Sequence, residues 1–204
     1  MEIVRRGAEA EIRRGEYLGR KVMVKSRVPK AYRHPDLDCS LRATRTKNEA
    51  RLMQEARRHG VPTPIIYDID RAQATIVMQE IVGPRVKDVL VSAPREEAET
   101  ICLEIGREAA ALHKAGMVHG DLTTSNMVME GEKVYLIDFS LGSRNAEIEE
   151  MGVDLHLLKE AFQSAHSERF DLFEVVMRSY SENFDQAKRV LAKITEIEER
   201  GRYT

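Results

Sequence analysis

The chain has no tryptophan, only 5% aromatics and just two cysteines, Cys39 and Cys102. Isolated thiols with no C-x-x-C spacing exclude a disulfide framework and argue against structural zinc. They suit a reduced, cytoplasmic setting. No run nears the roughly 18 consecutive apolar residues of a membrane span, so no membrane partner is expected. The opening M-E-I-V-R-R-G-A-E-A-E-I has no apolar signal core. Aromatics are not interleaved with the basic residues, which argues against a module that stacks single-stranded bases. Neither charge sign dominates: 32 Lys and Arg stand against 34 Asp and Glu, a net of −2. Repeats and low-complexity tracts are missing too.

What remains is a highly charged globular composition of 204 residues. That is enough for one domain of two lobes with a real core. The charge is unevenly placed. Residues 1–60 carry 16 basic and 8 acidic side chains, or +8, and residues 61–204 carry 16 and 26, or −10. A basic first third suits RNA or an acidic partner, and equally a solvated surface with a few phosphate-binding groups.

The patterning is α+β. Residues 1–25 predict short strands joined by turns: Ile3-Val4, the stretch R-R-G-A-E-A-E-I at 5–12, residues 16–18, a turn at Gly19-Arg20 and a last strand at 21–25. In the last strand Val22 and Val24 alternate with Met23 and Lys25, so Lys25 can point into a cleft and meet phosphate oxygens. Gly7, Ala8, Glu9 and Ala10 make a candidate phosphate-covering turn, without the G-x-G-x-x-G pattern. Residues 26–42 are polar, hold two prolines and predict a long loop. A helix is expected over 44–60, with Thr46 as N-cap and Glu49 in the capping-box position. Glu49 would then lie in the first turns, within reach of Lys25. Strands follow at 65–69 and 74–78. Gln79, Glu80 and Ile81 precede Val82-Gly83-Pro84 and offer free backbone groups to an adenine edge. This break divides the chain into lobes at 1–82 and 83–204. Helices are expected over 86–91, 95–115, 148–165, 170–180 and 184–197, and a frayed polar tail from 198.

Residues 117–142 carry the chemistry: M-V-H-G-D-L-T-T-S-N-M-V-M-E-G-E-K-V-Y-L-I-D-F-S-L-G. Two apolar runs, 127–129 and 134–137, flank a turn at 130–133 and predict a hairpin. A hairpin returns its ends to one place, so Asn126 and Asp138 should sit together with Asp121 a short loop away. An amide oxygen and a carboxylate are hard ligands suited to magnesium. A second carboxylate can orient a hydroxyl or water for in-line attack on a phosphate. Asp154 lies among the apolar residues of the 148–165 helix. A buried acid needs partners, and the backbone N–H groups of residues 119–121 are available ones.

Taken together these residues resemble a minimal protein kinase. The resemblance implies that Lys25 meets the α/β-phosphates of ATP and that Glu49 holds it. Asp121 becomes the catalytic base, Asn126 and Asp138 the Mg2+ ligands, and Gln79 to Ile81 the adenine-binding hinge. It also implies a bilobal fold, an antiparallel sheet with one regulatory-type helix over a mainly helical lobe. The stretches K-S-R-V-P-K-A-Y-R-H-P-D-L-D, G-V-P-T-P, H-G-D-L-T-T-S-N and I-D-F-S-L-G are similar to the small PRPK-type kinases of the KEOPS/EKC complex. That likeness implies an atypical Ser/Thr kinase that autophosphorylates and acts largely as an ATPase. It would support threonylcarbamoyladenosine synthesis in tRNAs reading A-starting codons. Its implied partners are a threonylcarbamoyl-transferring subunit on the C-lobe, a small subunit on the N-lobe, and tRNA directly or through the complex. The compact length and spare loops look archaeal.

The chain departs from ordinary protein kinases. Ser140 follows Asp138-Phe139 where glycine is usual, and Gly120 stands where arginine is usual. Only 15 residues separate Asp138 from Asp154, without A-P-E, so the activation segment and peptide-docking region are expected to be absent. Water or the protein's own Ser26, Ser40, Thr44, Thr123, Thr124 or Ser125 are then the expected acceptors. Two other readings remain open. One is a small-molecule phosphotransferase of the aminoglycoside or choline kinase kind, which shares H-G-D-L-x-x-x-N. The other is a scaffold or pseudokinase.

Overall fold

A computed structural model describes residues 2–201. Its first half is a five-stranded antiparallel sheet, with strands β1 (Glu2–Arg6), β2 (Ala10–Tyr17), β3 (Arg20–Arg27), β4 (Ile66–Asp70) and β5 (Thr75–Gln79). Their order across the sheet is β1-β2-β3-β5-β4. The β2 and β3 strands are each continuous over eight residues. The turn between them is Leu18-Gly19 rather than Gly19-Arg20. Both residues have positive φ, 49° and 74°, and a two-residue turn of that kind matches the twist of its strands. Alternation in β3 holds: Val22 and Val24 are buried, and Met23 and Lys25 line the cleft.

The helix expected over 44–60 begins nine residues earlier. It is α1 (Pro35–Arg58), with Pro35 in its first turn and Asp36 and Asp38 beside it. Proline is welcome at the first helical position because the N–H it lacks would have no partner there. The long loop therefore shrinks to the stretch after β3. Thr46 is not an N-cap: it is mid-helix and fully buried. Glu49 sits well inside the helix, not in its first turns. Only the first turns of the helix, residues 35–42, fall in the stretch where the sequence predicts a loop, because they are polar and carry a proline.

The second half is helical: α2 (Val86–Ser92), α3 (Arg95–Lys114), α4 (Ile148–Ala165), α5 (Leu172–Asn183) and α6 (Ala187–Gly201). The α3 helix packs on α5, and α4 on α6. Gly106 lets α3 and α5 close up, since a Cβ there would meet the Val176 carbonyl oxygen at 2.4 Å. Ile105, Leu112, Leu155, Leu158, Phe162, Val176 and Tyr180 form the centre of the core. The expected tail is helical through Gly201, and residues 202–204 lie outside the described residues.

Two small ladders sit where the halves meet. Strands β7 (Met127–Glu130) and β8 (Lys133–Leu136) form the expected hairpin, with Gly131 at φ 61° in its turn. Strands β6 (Met117–Val118) and β9 (Ser143–Arg144) pair on either side of it in sequence. The connecting segment after β5 presses on the hairpin: a Cβ on Gly83 would lie 1.7 Å from the Met129 carbonyl oxygen.

Candidate active site

The β3 strand and α1 bring together two residues far apart in sequence. Lys25 Nζ donates to Glu49 Oε1 at 2.6 Å, to Asp138 Oδ1 at 2.7 Å and to Ser140 Oγ at 3.0 Å. Lys25 is 4% exposed and Glu49 2%. One ammonium thus spans the sheet, the helix and the end of the hairpin. The second oxygen of Glu49 accepts from Arg27 Nη2 at 2.6 Å. A buried carboxylate with one cation on each oxygen is fully compensated, as its burial demands.

Asp138 stands at the far end of the hairpin with φ 67°, a conformation that aspartate tolerates better than most residues. Burial pushes its carboxyl up, but the Lys25 charge and hydrogen bonds from Lys25 and Ser140 outweigh that and hold it at about 2. Asn126 lies beside it, its carbonyl bonded to Ile137 N–H at 3.0 Å. The Asn126 side-chain amide donates to Asp121 Oδ2 at 2.7 Å and to the Asp121 carbonyl at 3.0 Å. With its nitrogen so committed, Asn126 keeps its amide oxygen for a ligand. Asp121 keeps its other carboxylate oxygen.

The loop that carries Asp121 is held from beneath. Asp154, 1% exposed, accepts from the N–H of His119 at 2.6 Å and of Gly120 at 2.8 Å. These are the partners its burial required. The bond from His113 Nε2 to Asp154 is longer, 3.4 Å, and His113 Nδ1 meets Tyr180 Oη at 2.8 Å. His113 therefore belongs to a polar chain through three helices. Gly120 has φ 78°, and a Cβ there would come 2.1 Å from the Leu141 carbonyl oxygen. An arginine does not fit this turn. Thr124 is buried and meets His166 Nε2 at 3.1 Å, which withdraws it from the surface hydroxyls.

Two adjoining cavities run along the cleft. One is lined by Met23, Met78, Gln79, Glu80, Ile81, Val128 and Ile137, an apolar slot beside a strip of backbone. Gln79 N–H donates to the Ile65 carbonyl at 2.8 Å, and the Glu80 side chain pairs with Arg14. Neither of these two groups is free for a ligand. Ile81 N–H has no hydrogen-bond partner among the described residues, so it is available to an adenine-like edge. The other cavity is lined by Gly7, Ala8, Glu9, Ala10, Lys25, Arg27, Asp121, Asn126, Asp138 and Ser140. Gly7 N–H closes on the Ala10 carbonyl at 2.9 Å, which makes the 7–10 turn tight. Glu9 points away, to Arg45 and Lys30. The sequence reading missed Arg27 and Ser140. Alternation along β3 could have found Arg27, two residues beyond Lys25. The only local mark of Ser140 is that it follows Asp138-Phe139 where glycine is usual.

The donor set fits a magnesium-bound polyphosphate. Hard oxygens from Asn126 and Asp138 face cationic groups from β3 across a cavity roofed by a glycine turn. Among the described residues there is no cluster of three His, Cys, Asp or Glu that could hold a metal by itself. The metal would have to share its shell with phosphate or water, as magnesium commonly does.

An antiparallel sheet with one long helix, joined by a short linker to a helical half with the site between them, is the protein-kinase-like class. The solved Rio2 kinase–ADP/Mg2+–phosphoaspartate complex from Chaetomium thermophilum has this fold, with a TM-score of 0.65 at 17% identity over 98% of this chain and 72% of that one. The RIO domain family model matches residues 12–184. The KEOPS complex subunit Bud32 of Pyrococcus abyssi is 44% identical, over 100% of this chain and 96% of that protein. A probable bifunctional tRNA threonylcarbamoyladenosine biosynthesis protein of Methanothermobacter thermautotrophicus is 42% identical, and the chain spans 37% of its length. The chain belongs to the Bud32 family of RIO-domain proteins.

Proposed function

We propose that this chain is the ATP-using, kinase-like subunit of a KEOPS-type assembly. It is a Mg2+-dependent ATPase and an autophosphorylating Ser/Thr kinase that supports threonylcarbamoyladenosine formation in tRNAs reading A-starting codons. The observation that carries the chemistry is the convergence of Lys25, Glu49, Asp121, Asn126 and Asp138 on one cleft from four segments of chain. The relatives' names support the assembly and the tRNA pathway.

The contacts support the following residue roles. Residues 1–82 and 83–204 act as two lobes that grip a nucleotide between them. The 79–81 segment takes the base through Ile81 N–H. Lys25, aligned by Glu49, turns from Asp138 toward the α/β-phosphates. The Gly7–Ala10 turn covers the phosphates with backbone N–H groups. Asn126 and Asp138 would hold Mg2+ through their side-chain oxygens, and the ion when bound would offset the charge of the phosphates. Asp121, fixed by Asn126 and by the loop that Asp154 holds, orients the attacking hydroxyl or water and takes its proton. The acceptor is water or an exposed hydroxyl of the chain itself. Ser40 and Thr44 lie exposed on α1. A threonylcarbamoyl-transferring subunit docks on the C-lobe and a small subunit on the N-lobe. The basic first third contributes to tRNA contact, within the cytoplasm.

The test is ATP hydrolysis and autophosphorylation by the purified full chain, with and without tRNA and partner subunits. Asp121→Ala is expected to lower both by about 10²–10⁴-fold, the usual worth of a positioned base. Wild-type rates in that variant would refute the assignment.

A further inference from the structure

We infer that Arg27 is the terminal-phosphate contact of this site, a residue that distinguishes a nucleoside triphosphate from a diphosphate. The inference rests on the nucleotide reading above and extends it to a residue no motif assigns.

Its position along β3 is the first reason. Val22 lies opposite Gln79, where the base-binding segment begins. Lys25 lies opposite Ile12, and Arg27 opposite Ala10 in the phosphate-covering turn. Two residues of strand advance about 7 Å, away from the base end of the cleft. A nucleotide laid from residues 79–81 along this strand meets Lys25 first and Arg27 beyond it. Residues two apart share one face of a strand, so both cations enter the same cavity.

The hydrogen-bond state of Arg27 is the second. The residue is 6% exposed. Its Nη2 donates to Glu49 at 2.6 Å and to Ser140 Oγ at 3.3 Å. Its Nε is buried and has no partner. A buried guanidinium N–H without an acceptor is costly, and this one belongs to a side chain that lines a cavity built for anions. Ser140 Oγ also marks a point that both cations reach together, 3.0 Å from Lys25 Nζ and 3.3 Å from Arg27 Nη2. A phosphate oxygen near that point would be held by two positive charges. Glu49 keeps Arg27 on its second oxygen, so its charge stays compensated while Lys25 turns from Asp138 toward the phosphates.

The alternative is that Arg27 serves Glu49 alone. It would then act through Lys25, and its loss would weaken all nucleotides alike. Calorimetric titration of the full chain with Mg2+ separates the two, using ADP and a non-hydrolysable ATP analogue. Arg27→Gln is expected to weaken the triphosphate analogue by about tenfold or more, the worth of a charged hydrogen bond, and ADP by much less. Arg27→Lys should recover part of the triphosphate loss. Equal weakening of the two nucleotides, or unchanged triphosphate affinity, overturns the inference. Should Arg27→Gln not fold, Arg27→Lys decides by itself: its charge is kept but its fork is lost, so the triphosphate preference must still fall. A wild-type chain that binds neither nucleotide would defeat the proposed function, and this inference with it. Normal wild-type binding with equal losses defeats the inference alone.

Discussion

Glu49 is the residue on which the buried charges balance. It lies between Lys25 and Arg27, and all three are at most 6% exposed. Removing one partner of a buried ion pair leaves the other charge uncompensated, which typically costs about 3–5 kcal/mol. Glu49→Ala is therefore expected to lose about that much stability, read from urea unfolding at neutral pH. A loss under about 1 kcal/mol would mean that water reaches the cations. Asp138 behaves differently because its side chain is 40% exposed. Its folded pKa, about 2, lies below the ordinary 3.8. The stability it contributes is present above that ordinary value and is lost as pH falls toward 2. At neutral pH the carboxylate is fully ionised and available to a metal.

Among the elements, α3 carries the clearest pH signature. Glu108 on this helix is 6% exposed, and its Oε2 has no partner. Burial, reinforced by the neighbouring Glu104 carboxylate, raises its pKa from 4.5 to about 8. Between those values the folded chain holds a proton that the unfolded chain has released. Stability is then fully present below 4.5 and falls as pH rises toward about 8. Denaturant unfolding across pH 5–8 should show that decline, and Glu108→Gln should flatten it. Parallel profiles for the two proteins would contradict the assignment. The α1 helix shows where local reading failed. Its amphipathic second half was visible from residue 44, but its polar first turns were not. Pro35 looked like a loop residue because the first position of a helix and a loop tolerate proline equally well. Thr46 looked like a cap because the capping-box spacing also occurs by chance inside helices.

At the scale of the molecule, the Lys25–Asp138 contact is a strap across the cleft between sheet and helices. Mg2+ and nucleotide are expected to replace it with stronger bridges. A ligand at 100 times its dissociation constant adds about 2.7 kcal/mol, which raises Tm by about 5–10 °C for a chain of this size. Thermal melts with ATP should show that shift only when Mg2+ is present, and Asp138→Asn should remove the Mg2+-dependent part. A shift indifferent to Mg2+ would rule out Asp138 as a metal ligand.

The order of chemical groups was written in the sequence: a strand lysine, a helix glutamate, then Asp121, Asn126 and Asp138 around a hairpin. Periodicity and turn chemistry are local, so they disclosed most strands and helices and the returning hairpin, while the family likeness rested on the motif stretches themselves. Only the tertiary structure decided that Arg27 shares Glu49 with Lys25, that Ser140 bridges the two cations, and that His113 joins Asp154 and Tyr180. Those pairings depend on where strand, helix and loop cross in space. Contact between residues that distant in the chain leaves no mark on either neighbourhood.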